Sequence, residues 1–394
     1  MNATADRLAV QALVLAASVL VIWVEMERPA VSQVPSEQSY FKSVSQHPQI
    51  ARYYRFRQAS EPAQQVPSQG GEALALQPGA RQRLRLVPGQ LAQRHAVHLD
   101  ETWLEAPPVT VSPKGFTVEI RWRKLGPGKR LGNGRTNGML VAQGSGYWDG
   151  WRMWTSYPDG VLRFEIGRAK PNQAFGLTCR QAPPDGVWHH LAASWDGQQM
   201  RLYVNGLLAT AEDFDGQYVA AKSPLKLGYA NHGIGSLRMD VEELAIYHGA
   251  LPPQEILAHA CRLPAVPDSV VAPLLTATAA AARDDAATAQ RAFDQLAGLE
   301  EAGSPIQSVT RLAVARAARQ QGQKRRAVRI CVALSEDETV PANLRATALR
   351  NCLPENRDAL VDIPSSAIFA RLLQIPKLPP REQLLCRLGL AECL

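Results

Sequence analysis

The stretch Gly115–Arg123 (GFTVEIRWR) places the tightest constraint on how this chain folds. Phe116, Val118, Ile120 and Trp122 fall on one face of an extended strand, with Thr117, Glu119, Arg121 and Arg123 on the other. That period of two belongs to a strand and not to a helix. Comparable stretches follow, each bounded by turn residues. Trp151–Tyr157 and Val161–Ile166 flank Pro158-Asp159-Gly160, and Val187–Trp195 is separated from Met200–Leu207 by a connection opening with Asp196-Gly197. Both read as hairpins, and Asn205-Gly206 marks a further tight turn. Leu225–Ala230 and Val241–Tyr247 complete the series. Short strands at regular intervals, with no helical run among them, predict an antiparallel β-sandwich or jelly roll over residues 74–264.

One hairpin in this region carries a family pattern. The passage VWHHLAASWDGQQMRLYVNGLLATA, Val187 to Ala211, resembles the central hairpin of the laminin-G-like, concanavalin A-type jelly-roll family. That pattern is a Trp-x-His-aliphatic strand, then Trp/Tyr-Asp-Gly, then a strand ending in Val-Asn-Gly. Ala96–Leu99 (AVHL), GFTVEIRWR and Met239–Ile256 fall around it in the order the family requires. The resemblance implies the jelly-roll fold and two further expectations. Some members hold one Ca²⁺ at the sandwich rim through carboxylates and backbone carbonyls. Asp149, Asp196 and Asp240 are the candidates here, with solvated turn acids as the alternative. Other members cleave glycans, and β-glucanases on this fold carry Glu-x-Asp-x-x-Glu. This chain has Asp240-Val241-Glu242-Glu243 instead, although Asp240 and Glu242 share a strand face. A retaining glycosidase needs two carboxylates about 5–5.5 Å apart, and the mismatch argues for a non-catalytic domain.

Other catalytic patterns are missing. There is no Gly-x-Ser-x-Gly, no His-Glu-x-x-His and no Cys/His spacing of zinc type. His189 and His190 are neighbours on a strand, so they face opposite sides and cannot share one metal. Gly126–Gly138 is Gly-rich and basic but follows a strand without opening a helix, unlike a phosphate-binding loop. The richest ligand-binding candidate is the loop Gly144–Trp154 (GSGYWDGWRMW), which brings Tyr147, Trp148, Asp149, Trp151 and Arg152 together. Aromatic side chains stack on sugar faces and bury large areas at protein contacts. If a strand begins at Trp151, then Tyr147 and Trp148 are the more exposed pair.

Composition divides the rest of the chain. Seven of the 8 Trp lie between Trp103 and Trp195, and beyond His248 there is neither Trp nor Tyr. From about Pro267 the sequence is Ala/Leu/Arg-rich and punctuated by Gly303, Gly322, Pro341, Pro354, Pro364 and Pro379-Pro380. Ile306, Val309, Ala313 and Ala317 fit one face of a helix. Residues 265–394 are therefore expected to form an all-α domain of helical hairpins, a surface type that commonly binds other proteins. A basic run there (Arg316, Arg319, Lys324, Arg325, Arg326, Arg329) is followed by Glu336, Asp337 and Glu338.

At the other end, Leu8–Val24 is apolar apart from Gln11 and Ser18. Its length is at the lower limit for a spanning helix, about 17–25 residues, and Trp23 stands where an interfacial anchor would. Residues 1–24 are expected to be an uncleaved membrane anchor, with a signal sequence as the alternative. Residues 25–73 read as a Pro/Ser/Gln-rich tether. Within it, segment 40–57 interleaves Tyr40, Phe41, Tyr53, Tyr54 and Phe56 with Arg52, Arg55 and Arg57. Such a strip suits a membrane surface or a partner protein, or else packs back on the chain's own domain. The bulk of the chain is expected outside the cytoplasmic membrane, which permits a Cys179–Cys261 disulfide. Buried thiols are the alternative for these cysteines. That location removes nucleic acid as a partner, and the net charge of +7 then points to surface contacts. The resulting expectation is a single-pass, extracytoplasmic binding protein for carbohydrate or protein. An accessory subunit of a membrane complex is the alternative, and a glycan-active enzyme the remote one.

Overall fold

A computed structural model describes residues 37–56, short stretches between 65 and 76, most of 85–263, and the helices at 286–297, 303–320 and 324–336, with scattered positions between 272 and 373. Helix α1 (Glu37–Ser45) leads into strand β1 (Ile50–Arg55), followed by the short β2 (Gln65–Val66), β3 (Ser68–Gln69) and β4 (Leu74–Leu76). Then come β5 (Arg85–Pro88), β6 (His95–Leu99), β7 (Leu104–Ala106), β8 (Phe116–Gly126), β9 (Thr136–Gln143), β10 (Trp151–Tyr157), β11 (Leu162–Ile166) and β12 (Phe175–Cys179). The series closes with β13 (Trp188–Trp195), β14 (Gln199–Val204), β15 (Leu207–Asp213), β16 (Leu225–Leu227), β17 (Gly235–Ser236), β18 (Arg238–Tyr247) and helix α2 (Pro253–Cys261).

These strands make two 9-stranded sheets. The first runs β15-β14-β13-β8-β18-β1-β3, with β6 also on β18 and β5 on β6; the second runs β12-β11-β10-β9-β16-β7-β4-β2, with β17 beside β9. The alternation in β8 sets the geometry. Val118, Ile120 and Trp122 enter the core between the sheets, where they meet Leu191 and Ala193 of β13 and Leu244 and Ile246 of β18. Val118 pairs with Ala193 and with Ile246, so three neighbouring strands present the same face to the core. The Asn205-Gly206 turn behaves as the sequence predicts. Asn205 has φ 51° and Gly206 φ 82°, the left-handed pair that suits a two-residue hairpin.

The expected tether boundary at residue 73 is overturned. β1 pairs antiparallel with β18 over Ile50–Arg55, so the sandwich begins well before Leu74. The assignment of Tyr40, Phe41, Arg52, Tyr53, Tyr54, Arg55 and Phe56 to a membrane or partner surface is overturned with it. Tyr54 and Phe56 lie in the core between the sheets. Tyr40, Phe41 and Tyr53 pack with Val44, Tyr203, Tyr247 and Ile256 in a second apolar cluster outside the first sheet. The arginines stay local: Arg52 Nη1 donates to Ala51 O at 2.9 Å, and the Arg55 guanidinium stacks 3.3 Å from the Phe41 ring centre. A strand covered on one side by a second sheet and on the other by a helix is buried on both faces, so its aromatics are core whatever cations lie between them. Arg57 and the anchor segment 8–24 lie outside the described residues. Among the described residues no helix is long and apolar enough to cross a membrane.

Helices α3 (Ala286–Ala297), α4 (Gly303–Gln320) and α5 (Lys324–Glu336) follow the sandwich. Ile306, Val309 and Ala313 are buried along one face of α4, as their spacing predicts. Arg316 of α4 fastens this part to the jelly roll. Its Nη1 and Nη2 donate to Leu208 O at 2.8 Å and Ala209 O at 2.5 Å, carbonyls of the edge strand β15. A guanidinium fork that satisfies edge carbonyls also blocks pairing with another strand there.

Candidate functional site

Two places gather polar and aromatic groups beyond what packing alone requires: the loop between β9 and β10, and the outer face of the first sheet. The loop is organised by its own short side chains. Ser145 donates to Asp149 Oδ1 through both N–H and Oγ at 2.9 Å. In return, Ser145 Oγ accepts from the N–H groups of Tyr147 at 3.0 Å and Trp148 at 2.8 Å. Gly150, at φ 63°, donates its N–H to Val219 O at 2.6 Å and accepts from Gly167 N at 2.9 Å. A Cβ at Gly150 would collide with Gln143 O, so glycine is needed where the loop rejoins the sheet.

This closed turn raises Tyr147 and Trp148 into solvent, 40% and 49% exposed, as the exposed large hydrophobic side chains among the described residues. Their rings meet edge-to-face, with centroids 4.3 Å apart and planes at 81°. The remaining predicted members of this site are redirected. Trp151 is fully buried against Phe116, and Arg152 is buried on Glu165, its Nε 2.5 Å from Oε2. Both sit inside β10, where one side chain faces the core and the next the sheet's other face. Trp151 and Arg152 therefore leave the ligand-binding set. Asp149 remains in it only as the brace of the loop.

The three predicted calcium carboxylates occupy separate elements with separate protein partners. Asp149 holds the β9–β10 loop. Asp196 Oδ1 accepts from Gln198 N at 2.9 Å and Gln199 N at 2.7 Å, while Arg201 Nη1 lies 2.7 Å from Oδ2. Partial burial tends to raise its pKa, but those donors hold its carboxyl below the usual range. Asp240 is buried with Arg123 Nε at 2.9 Å and His98 Nδ1 at 2.7 Å. Among the described residues no three His, Cys, Asp or Glu side chains are grouped as metal ligands would be. The Cys179–Cys261 disulfide is not formed. Cys179 lies at the edge of the second sheet and Cys261 ends α2 beside the first. Burial pushes the Cys261 thiol up to about 12, which keeps it protonated and unreactive.

The outer face of the first sheet is where the sequence reading missed most. A register shift between Val241 and Glu243 inserts Glu242 as an extra residue, so β18 carries Glu242 beside Glu243 as well as Asp240. Opposite them β8 presents Glu119, Arg121 and Arg123, and α1 and α2 close over the face. Tyr40 of α1 donates to Glu243 Oε2 at 2.9 Å, and Arg121 Nη2 donates to His259 O of α2 at 2.8 Å. The C-cap residue Arg262 adopts φ 58°, a left-handed turn more usual for glycine, and its Nη2 reaches Glu242 Oε2 at 2.6 Å.

Glu119 is the hub. Tyr247 donates its hydroxyl to Glu119 Oε2 at 3.1 Å, His259 Nδ1 stands 2.8 Å from the same oxygen, and His190 Nε2 is 3.5 Å from Oε1. Burial alone would raise the Glu119 pKa, but His259 and His190 overcome it and hold the carboxyl far below its usual range. Burial likewise works against the charge on His259, which Glu119 nevertheless raises above the ordinary histidine value. For His190, burial wins and the pKa falls. The signal in the sequence was cross-strand complementarity: alternate charges in β8 matched by acids in β18.

Comparison with known proteins agrees with the architecture. Residues 100–257 match the family described as the Concanavalin A-like lectin/glucanases superfamily, of laminin G type, which confirms the resemblance carried by the central hairpin. No curated protein matches the sequence. Among solved structures, the binding domain of Paraclostridial Mosquitocidal Protein 1 is similar at 15% identity and a TM-score of 0.42, covering 54% of this chain and 52% of that one. The botulinum neurotoxin serotype D ligand binding domain in complex with N-acetylneuraminic acid has 11% identity, coverage of 56% and 52%, and a TM-score of 0.41. Domain 4 of a GH43 extracellular arabinanase from Geobacillus stearothermophilus, in complex with arabinotriose, has 19% identity, coverage of 54% and 98%, and a TM-score of 0.40. The matched region spans about half the length of the toxin domains.

Proposed function

We propose that this protein is a non-catalytic binding protein whose jelly roll contacts carbohydrate or protein through Tyr147 and Trp148. The observation that carries this reading is the exposure of that pair on a loop fixed from within by Ser145 and Asp149. Rigid aromatic side chains contribute contact area without a large ordering penalty. The acids considered for glycan cleavage support the same conclusion. Asp240 is held by Arg123 and His98, Glu242 by Arg262, and all these groups lie beneath or between the protein's own elements. Two carboxylates neutralised in this way are not poised to flank a sugar bond.

In this reading the apolar segment Leu8–Val24 anchors the chain and the bulk of it is extracytoplasmic, supported by the length of that segment and by Trp23. The accessory-subunit alternative depended on segment 40–57 lying along a partner, and the burial of its aromatics takes that support away. A glycan array and a panel of envelope proteins test the reading. Binding that is lost in Trp148→Ala at unchanged melting temperature is the expected result. Binding indifferent to Trp148, or glycan hydrolysis abolished by Glu242→Gln, overturns it.

A further inference from the structure

Helix α2 is the element from which the chain leaves the sandwich toward α3, and its two ends are fastened differently. Near the first turn, Leu251 donates its N–H to Thr117 Oγ1 at 2.8 Å, and Glu255 meets His47 Nε2 at 3.1 Å. His47 Nδ1 accepts the N–H of Gln49 at 3.2 Å, which leaves the ring proton on Nε2, so this tie needs no imidazolium. The last turn is held by Arg262 Nη2 on Glu242 Oε2 at 2.6 Å, Arg121 Nη2 on His259 O at 2.8 Å, and His259 Nδ1 on Glu119 Oε2 at 2.8 Å. Only the last of these runs through an imidazole, the side chain that sheds its proton closest to neutral pH.

Glu119 is a single carboxylate shared by the imidazoles of His259 and His190. One buried negative charge supports one imidazolium, because a second would be a buried cation without a counter-charge. Geometry gives the proton to His259, which stands 2.8 Å from Glu119 against 3.5 Å for His190. His259 also lies in the last turn of α2, where the helix dipole favours a cation. The groups facing it are Glu119 and Arg121 on β8, Glu243 and Tyr247 on β18, His190 on β13, Tyr40 on α1 and Glu255 on α2 itself. Burial opposes the charge on both imidazoles; Glu119 overcomes it at His259 and not at His190.

We propose that His259 is a proton-operated latch on the last turn of α2: protonated, it holds that turn down on β8, and once neutral it lets the turn lift locally while the sandwich stays folded. A neutral His259 leaves Glu119 as a buried anion facing uncharged donors, a cost that the turn relieves by admitting water. The ties near the first turn and the buried Ile256 keep the rest of the helix in place. The sign follows from the raised folded pKa of His259: the latch is closed at acid pH and opens as pH rises through that value. The reporters lie on the turn itself, where Arg262 donates its N–H to His259 O at 3.1 Å and Leu263 donates to Ala258 O at 2.8 Å. This device is separate from the Tyr147–Trp148 loop, so the two readings stand or fall independently.

Amide hydrogen exchange of the full chain tests it, read by mass spectrometry at about pH 6 and about pH 9 with intrinsic rates divided out. Protection of the peptide holding Leu257–Leu263 should fall about tenfold or more at the higher pH, while peptides from β8 and β13 keep theirs. His259→Gln, which retains a neutral donor, should show the low protection at both pH values. His190→Gln should keep the difference, because the imidazolium is on the other ring. Equal protection of the α2 turn at both pH values overturns the proposal, as does a loss shared by α2, β8 and β13, which would be global unfolding. A pH difference that survives in His259→Gln overturns it as well. Should that variant not fold, the wild-type comparison of α2 with β8 and β13 decides by itself.

Discussion

Tyr40–Phe56 and Gly144–Trp154 carry the same mixture of aromatic and charged side chains, yet the first is core and the tip of the second, Tyr147 and Trp148, reaches into solvent. In the first, β1 takes a place in the sheet beside β18, and α1 folds back over it, so Tyr40, Tyr53, Tyr54 and Phe56 are buried from two sides. In the second, Ser145 and Asp149 satisfy the backbone locally, no strand ladder runs through Tyr147 and Trp148, and nothing described covers them. Exposure of an aromatic side chain is decided by where its backbone hydrogen bonds go. A ladder draws the strand between layers, whereas a self-contained turn leaves its tip outside.

The largest effect that would break this contrast lies in the buried segment. Tyr54→Ala should lower stability by about 3–5 kcal/mol in denaturant unfolding, the range for emptying a large buried aromatic site; a loss below about 1 kcal/mol would mean that β1 is not core. Slightly smaller, Glu119→Gln should cost about 3 kcal/mol, because His259 loses its buried counter-charge and α2 one of its two ties to β8.

The two histidines around Glu119 give a dependence on pH with opposite arms. His259 has a raised folded pKa, so its contribution is complete below the unfolded value of about 6.5 and is lost as pH rises through the folded pKa. His190 has a lowered folded pKa, so its contribution is present above that unfolded value and is lost as pH falls. Melting temperature should therefore peak near pH 6.5, with the alkaline arm flattened in His259→Gln and the acid arm in His190→Gln. Profiles unchanged by both variants would remove Glu119 as the hub. The smallest effect is expected at the exposed end of the comparison: Trp148→Ala should change stability by no more than about 0.5 kcal/mol while removing ligand. A large loss of stability there would show that the loop is structural and not a binding surface.

Much of the sandwich was legible residue by residue. The alternation in GFTVEIRWR became β8, and Asn205-Gly206 became the left-handed turn its residue types demand. The spacing of Ile306, Val309 and Ala313 became the buried face of α4. Tyr147 and Trp148 were also identifiable, because a loop tip ahead of a strand starting at Trp151 points away from the core. Arg152 was harder to place, since its burial depends on Glu165 across the β10–β11 pair. The outer-face network was less legible still. Its partners lie as far apart in the chain as Tyr40 and Glu243, and the register shift that sets Glu242 beside Glu243 exists only between paired strands.

By itself, then, the sequence determined the local elements: which stretches extend, where they turn, where the aromatic-rich sandwich gives way to Ala/Leu/Arg-rich helices. Those properties follow from periodicity and backbone preference, which act over a few residues. Only the tertiary structure decided what each face would meet. Whether β8's charged side faces water or a helix, and whether an aromatic strip is core or surface, depends on segments distant in the chain that come to lie on it. Burial of those charges is tolerable because each finds an opposite partner from another element, and that pairing is a property of the assembled layers.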